Sequence, residues 1–458
     1  MTVPAEEAAI IPEAGPALTE ARVSRSSWLS LAIFLLLYTC AFLDRKVFDL
    51  LVDPITRDLK ISDLQYSFLQ GAAFVVFYST LGVPIGWAVD RFARRWIIFF
   101  GMIFWSLATM GSGVSHNYVQ LMLSRIGVGA GEATLHPSVY SMLSDMFPRN
   151  RLTTAVGVYS VGASIGGAVS LVLGGLIVGL SSGASQFVLP LVGAIKPWQL
   201  VFLLAGAPGL LAASLVFLVR EPARKGKLAS APRQSAPAAG SVLQFMRGQR
   251  GFFLAHFAAF SVFGAAATGV TSWSAVFYMR VFGLPTMQAA LSLGVVTLFA
   301  STAGLLAAGW IPDWLLRRGF RDAHLRYYVG LLALFAVAGV TATLSHDLMI
   351  SLGAMAVTYF CVPFIPAAAG ALQITTPNEF RGQVSALFLL VYNIVSWGLG
   401  PTVVAAVSDR LLSGPKSIGT AMALTVAVTS PIAIALFAMG LKPMRKAVDA
   451  AAAWQSDR

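Results

Sequence analysis

Five residues that lie inside strongly apolar runs carry the chemistry legible in this chain: Asp44, Arg45, Arg125, Glu132 and His136. A charge in such a run is kept where it has a partner or faces water. Asp44 is the only acid in the apolar part of its run. A carboxylate so placed exchanges a proton readily, because burial favours the neutral form and a neighbouring arginine favours the charged one. Arg125 and Glu132 are seven residues apart, about two helical turns, so both face one side of a helix. His136 lies one further turn along that face. The spacing predicts an ion pair between Arg125 and Glu132, with Asp44 competing for the same arginine or passing a proton on. An anion arriving at Arg125 would displace a carboxylate from it.

Other chemistries are not supported. No phosphate-cradling loop is found, since Ser413-Gly414-Pro415-Lys416-Ser417 lacks the required glycines. No His-Glu-x-x-His or Cys-x-x-Cys motif points to a metal, and Cys40 and Cys361 both lie in apolar runs, which gives no disulfide framework. No organic cofactor or metal is expected; protons are the expected coupling ion.

The elements that must position these residues are membrane-crossing helices. Of 458 residues, 57% are hydrophobic and only 11% charged; a soluble domain carries about 25% charge. A span needs roughly 20 mostly apolar residues. Such runs fall at 28–48, 66–89, 96–114, 118–147, 152–180 and 197–219, and again at 251–280, 286–311, 326–345, 348–373, 382–407 and 418–440. The expected fold is therefore an all-α membrane protein of twelve transmembrane helices in two six-helix bundles. Residues 1–27 read as a polar cytoplasmic tail without a signal-type apolar core, residues 220–250 as a basic, poorly structured linker on the membrane surface, and residues 441–458 as a cytoplasmic tail.

The net charge of +12 reads as topology rather than as nucleic-acid binding. With the N-terminus inside, the cytoplasmic tails, loops and linker hold 23 Lys and Arg, the opposite loops hold 6, and Arg45, Lys46 and Arg125 fall within spans. That bias predicts both termini on the cytoplasmic side, and the compact chain with short tails suits the plasma (inner) membrane of a bacterium. An internal repeat supports the two-bundle layout. Gly86-Trp87-Ala88-Val89-Asp90-Arg91-Phe92-Ala93-Arg94-Arg95 and Gly309-Trp310-Ile311-Pro312-Asp313-Trp314-Leu315-Leu316-Arg317-Arg318 share five of ten positions. Two such halves are parallel repeats about an axis along the membrane normal.

These loops resemble the signature of the major facilitator superfamily, with Gly86, Asp90, Arg91, Arg94 and Arg95 matching and Ala93 replacing the second glycine. The resemblance implies a cytoplasmic charge network that closes a gate, comprising Gly86, Asp90, Arg91, Arg94, Arg95, Asp145, Arg151, Asp313, Arg317 and Arg318. Within that superfamily the chain is similar to the Spinster branch, the sphingolipid and lysophospholipid transporters. The similarity rests on Asp44-Arg45, Arg125, Gly131-Glu132-Ala133, Asp145-Met146-Phe147 and Arg151. It implies a secondary transporter, not an enzyme, that is proton-coupled and moves an amphipathic, lysolipid-like molecule by alternating access, working as a monomer in the bilayer with no nucleic-acid partner.

A carrier of small organic anions, with Arg125 on a carboxylate, is the alternative. Charge gathers in the first half, whereas the second offers aromatic and amide side chains. Tyr38, Trp273, Tyr278, Tyr359, Tyr392 and Asn393 are the expected lining of a substrate site. The glycines of the fifth span, Gly162, Gly166 and Gly167 among them, read as close helix packing.

Overall fold

The computed structural model describes residues 24–180, 186–190, 193–223, 239–412, 414 and 416–456. Among them, ten helical stretches are long and apolar enough to cross a bilayer. Two further rods, each broken once, bring the number to twelve: Asp63–Gln70 with Ala72–Arg91, and Tyr118–Glu132 with Leu135–Met146. Six rods lie on each side of the linker. With every rod crossing in turn, the linker, the ends near Arg25 and Ser456, and both repeated loops share one face, here called the linker side. The opposite face is the far side.

Local sequence sets the rod ends. Ser24 accepts from Ser27 N at 3.1 Å, Asn117 from Gln120 N at 2.9 Å and Asp347 from Ile350 N at 2.9 Å. Each satisfies an N–H that a helix start leaves open. Ser62 and Gln65 form a reciprocal capping box. The tenth rod breaks between Leu348–Cys361 and Ile365–Thr375, where Pro363 has no N–H to give the helix. The expected single helix over 118–147 is not formed. It breaks at Ala133–Thr134, directly after Glu132.

The expected linker and the expected C-terminal tail carry additional helix. Residues 239–248 of the linker are helical, and the last rod runs unbroken over Ser417–Ser456. The Ala/Pro/Ser-rich composition of residues 229–240 gave no sign of the first. A short antiparallel hairpin, Phe187–Leu189 with Gly193–Ile195, joins the fifth and sixth rods.

The packing reading of the fifth rod is realised. A Cβ on Gly166 would stand 2.5 Å from Thr39 O and 2.7 Å from the Phe42 Cβ of the first rod, so only glycine permits that approach. In the second half, two rods widen into single π turns, Thr297–Ser301 and Ile394–Leu399. Such turns occur mostly where a helix serves a site, and both of these meet the first half. Thr297 packs near Gly167, and the Trp397 carbonyl occupies the space that a Cβ on Gly71 would need.

The hydrogen bonds and ion pairs joining the halves cluster on the far side. Arg280 of the second half holds Asp53 at 2.8 Å and Asp63 at 2.5 and 3.0 Å. Leu64 N donates to Asp409 at 2.9 Å, and Ser67 Oγ lies 3.3 Å from Thr402 Oγ1.

Candidate functional site

The first rod places Asp44 and Arg45 next to each other, and successive residues on a helix point about 100° apart. Arg45 is therefore the residue that reaches the fourth rod, where it forms the ion pair with Glu132. The expected Arg125–Glu132 pair is not formed. Arg45 is ringed by aromatics, with its guanidinium 4.4 Å from the centre of the Phe74 ring, 4.8 Å from Phe42 and 5.6 Å from Tyr78. Such faces stabilise a cation that has left water.

Asp44, 2% exposed, takes one hydrogen bond, from Thr109 Oγ1 at 2.7 Å. Its carboxyl and that of Glu132 are close enough to interact. Asp44 Oδ1 and Glu132 Oε1 are buried and accept no hydrogen bond among the described residues.

Arg125 is 1% exposed. Its Nε donates to Leu69 O at 3.3 Å and its guanidinium lies 4.5 Å from the Phe48 ring centre. Among the described residues it forms no ion pair. His136, expected to continue the Arg125–Glu132 face, sits beyond the helix break. Its Nδ1 is 3.1 Å from Tyr159 OH, and its ring stands edge-on to Tyr38 at 4.7 Å. Tyr38 in turn stacks on Tyr159. The first half thus has an aromatic cluster of its own.

The second half is less of a lining than its sequence implied. Trp273 and Tyr278 are fully buried within it, with Trp273 donating to Pro401 O at 3.0 Å and Tyr278 OH 3.1 Å from Ser351 Oγ. They are packing residues of that bundle. Tyr392 packs on Phe364 with ring centres 4.1 Å apart. Tyr359 reaches Thr271 O at 3.4 Å, and Asn393 is half-buried.

The residues of the expected gate separate into distinct groups. Arg94, 1% exposed, binds Asp145 at 2.5 Å, Glu221 at 2.9 Å, Ser141 at 2.9 Å and Pro222 O at 2.9 Å. Glu221 also accepts from the backbone N–H of Arg94 and Arg95. This cluster ties the first half to the start of the linker. Arg91 stacks on Trp87 and Arg318 on Trp314, at 4.0 and 3.9 Å. Arg151, Asp313 and Arg317 are exposed, and the side chain of Asp90 lies outside the described residues. Nothing stands within 4 Å of a Cβ built on Gly86, so no neighbouring helix packs closely against it in this state.

Several polar residues were not anticipated. Asp322 is 1% exposed and takes Arg326 at 2.8 Å and Arg445 at 2.9 Å. Burial raises the pKa of its carboxyl, but those two guanidinium groups outweigh it and hold the group below its ordinary value. The far-side set Asp53, Asp63, Arg280 and Asp409 was also missed. So was a second charged group inside the first rod: Lys46 Nζ lies 2.8 Å from Asp49, and Asp49 accepts from Gln70 at 2.7 Å.

Two six-rod bundles with charges buried between them are the layout of a membrane carrier. The signature of the Major Facilitator Superfamily spans residues 34–438, and the chain belongs to that superfamily and is an integral, multi-pass membrane transporter. It is 28% identical to an MFS-type efflux pump of Mycolicibacterium smegmatis, over 88% of this chain and 90% of that one. It is 25% identical to a D-galactonate transporter of Escherichia coli, over 86% and 91%. The crystal structure of a bacterial homologue of the human lysosomal transporter Spinster, inward-facing and unoccupied, superposes with a TM-score of 0.73 at 22% identity, covering 93% of this chain and 98% of that chain.

Proposed function

We propose that this transporter carries small organic anions, of the sugar-acid kind, and couples their movement to protons. The observation that carries the reading is Arg125. A guanidinium 1% exposed cannot shed its charge and is costly to bury without an anion beside it. Asp44 and Glu132 act on it electrostatically, but no carboxylate among the described residues forms a contact ion pair with it, and Glu132 is taken by Arg45. A substrate carboxylate would supply the missing partner, in a planar geometry that matches the guanidinium fork. The relatives named for D-galactonate and, in Bacillus subtilis, for hexuronate at 24% identity support that class. The lysolipid reading, which rests on the Spinster likeness, gains no support from Trp273 and Tyr278, since both are packed inside the second bundle rather than offered to a hydrocarbon tail.

Proton coupling rests on Asp44 and Glu132. Their unsatisfied oxygens, Asp44 Oδ1 and Glu132 Oε1, are satisfied together by one shared proton, as two interacting carboxyls require. An anion that draws Arg45 or Arg125 towards itself shifts where that proton sits. The joined far side and the open space at Gly86 support a state open towards the linker side. The Lys and Arg bias supports assigning that side to the cytoplasm.

Binding tests the class. Purified full-length protein is titrated with D-galactonate, D-galacturonate and a lysophospholipid, and thermal stabilisation is recorded. The sugar acids stabilise the wild type, and Arg125→Gln abolishes the effect. Stabilisation by the lysophospholipid alone, or sugar-acid stabilisation that survives Arg125→Gln, sinks the reading.

A further inference from the structure

Five residues along the first rod from Asp44, a second polar group meets the seam. Lys46 donates to Asp49 Oδ2 at 2.8 Å, Gln70 Nε2 donates to Asp49 Oδ1 at 2.7 Å, and the same amide lies 3.4 Å from Ser272 O in the opposite half. A carboxylate and a carbonyl only accept, so the amide nitrogen must face them and Gln70 Oε1 must point away. That oxygen is buried and has no partner among the described residues, in a side chain 7% exposed overall. Lys46, 16% exposed at its side chain, spends one of its three donors on Asp49. Trp397 lies beneath its ammonium, 5.6 Å away. Thr297 is close by, since a Cβ on Gly167 would touch both its methyl group and Lys46 Cγ. Thr297 Oγ1, with Tyr359 as its neighbour, is also buried and makes no hydrogen bond of good geometry among the described residues. Trp397 and Thr297 belong to the two π turns.

The unused hydrogen-bonding capacity identifies what fits. Gln70 Oε1 needs a donor, whereas Lys46 offers donors and Thr297 offers both roles. A hydroxyl group donates and accepts at once. A second carboxylate would leave Gln70 Oε1 unmet, and a hydrocarbon chain would leave all three unmet, at the cost of burying bare polar groups. Position agrees with this. Arg125 lies against Phe48 and Leu69, and the next residue of each segment, Asp49 and Gln70, forms the hydrogen bond just described. The carboxylate anchor and the polar group are therefore neighbours within one small molecule's reach.

We propose that Lys46, Gln70 and Thr297, with Asp49 holding the first two in place, read hydroxyl groups, so that the transported anion is a short polyhydroxylated acid. This rests on the organic-anion reading and adds to it a reason for discrimination. A site built to bond a hydroxyl rejects the analogue that lacks it, because its own polar groups are then stranded.

The test compares acids of equal chain length on the purified full-length transporter. D-galactonate and hexanoate are titrated calorimetrically into the wild type and into Gln70→Met. The wild type is expected to prefer D-galactonate by about tenfold or more, the effect of two or three neutral hydrogen bonds. Gln70→Met is expected to lower D-galactonate affinity by about fivefold while hexanoate binding stays unchanged. Equal binding of the two acids by the wild type overturns the hydroxyl proposal and leaves the organic-anion reading standing. Binding of neither acid overturns both. Because the wild-type comparison needs no variant, a Gln70→Met protein that fails to fold leaves the proposal decidable.

Discussion

Replacing Arg280 with Gln should unlatch the far side of the molecule. Arg280 is the cation of the seam there, making three charge-assisted contacts at 2.5 to 3.0 Å with Asp53 and Asp63. Its side chain is 21% exposed, so solvent screens the contacts in part. A hydrogen bond to a charged group contributes about 1.5–3 kcal/mol when well buried, and exposed pairs contribute far less. Taking about 1 kcal/mol for each contact gives about 3 kcal/mol for the latch. If the contacts exist only with the far side closed, their loss shifts the balance between states by about a hundredfold. The assay places a cysteine at Thr402, where Ser67 meets the second half, in a Cys40→Ala, Cys361→Ala background. Labelling by a bulky maleimide is timed in detergent, where both faces are accessible. Arg280→Gln should speed labelling by one to two orders of magnitude. An unchanged rate in a folded variant would refute the view that these ion pairs hold the far side shut.

Three further outcomes follow from the geometry. Asp44→Asn and Glu132→Gln should each fold and bind or exchange substrate yet lose their response to a pH gradient; gradient-driven uptake beside thermal stability checks this, and full gradient dependence in both would remove the coupling role. Arg94→Met removes the buried cation that Asp145 and Glu221 share, while Glu221 keeps the backbone N–H groups of residues 94 and 95, and should cost about 1–3 kcal/mol, read as a lower midpoint of unfolding, whereas a variant as stable as wild type would show the cluster to be dispensable. Asp322 has a carboxyl held below its ordinary value by Arg326 and Arg445, so the stability it supplies is complete above the unfolded value of about 3.9 and is lost as pH falls through the lower folded value. The gap in stability between wild type and Asp322→Asn should therefore stay constant from pH 7 to 5 and narrow below about pH 4; a gap that closes between pH 7 and 5 would contradict the assignment.

The layout of the fold was legible because hydropathy and the repeated loops report long-range order directly. Apolar runs separated by basic loops leave few ways to thread a bilayer. The site was legible in its membership but not in its pairing. Asp44 and Arg45 are adjacent in sequence, and only the rotation of the first rod decides that Arg45 meets Glu132. The helix-face argument for Arg125, Glu132 and His136 assumed a straight rod, and the break at Ala133–Thr134 ended that face one residue after Glu132. Lys46 was visible as a charge within a span, yet Asp49 and Gln70, which give it meaning, sit near a span boundary and on another rod. Arg280 was counted only as one of six far-side cations. Asp53, Asp63 and Asp409 gain their significance from contacts across more than two hundred residues. Trp273 and Tyr278 show the opposite failure, because aromatic residues in apolar runs carry no mark that separates packing from lining.

The central claim is that Arg125 anchors an organic anion whose passage is driven by protons. Its most direct test is uptake of radiolabelled D-galactonate and D-galacturonate into proteoliposomes, with and without an imposed pH gradient, for the wild type and Arg125→Gln, beside a labelled lysophospholipid. At least one sugar acid should accumulate, the gradient should change its accumulation, and Arg125→Gln should abolish it in a folded protein. Movement of the lysophospholipid without either acid, or acid uptake unchanged in Arg125→Gln, would contradict the claim.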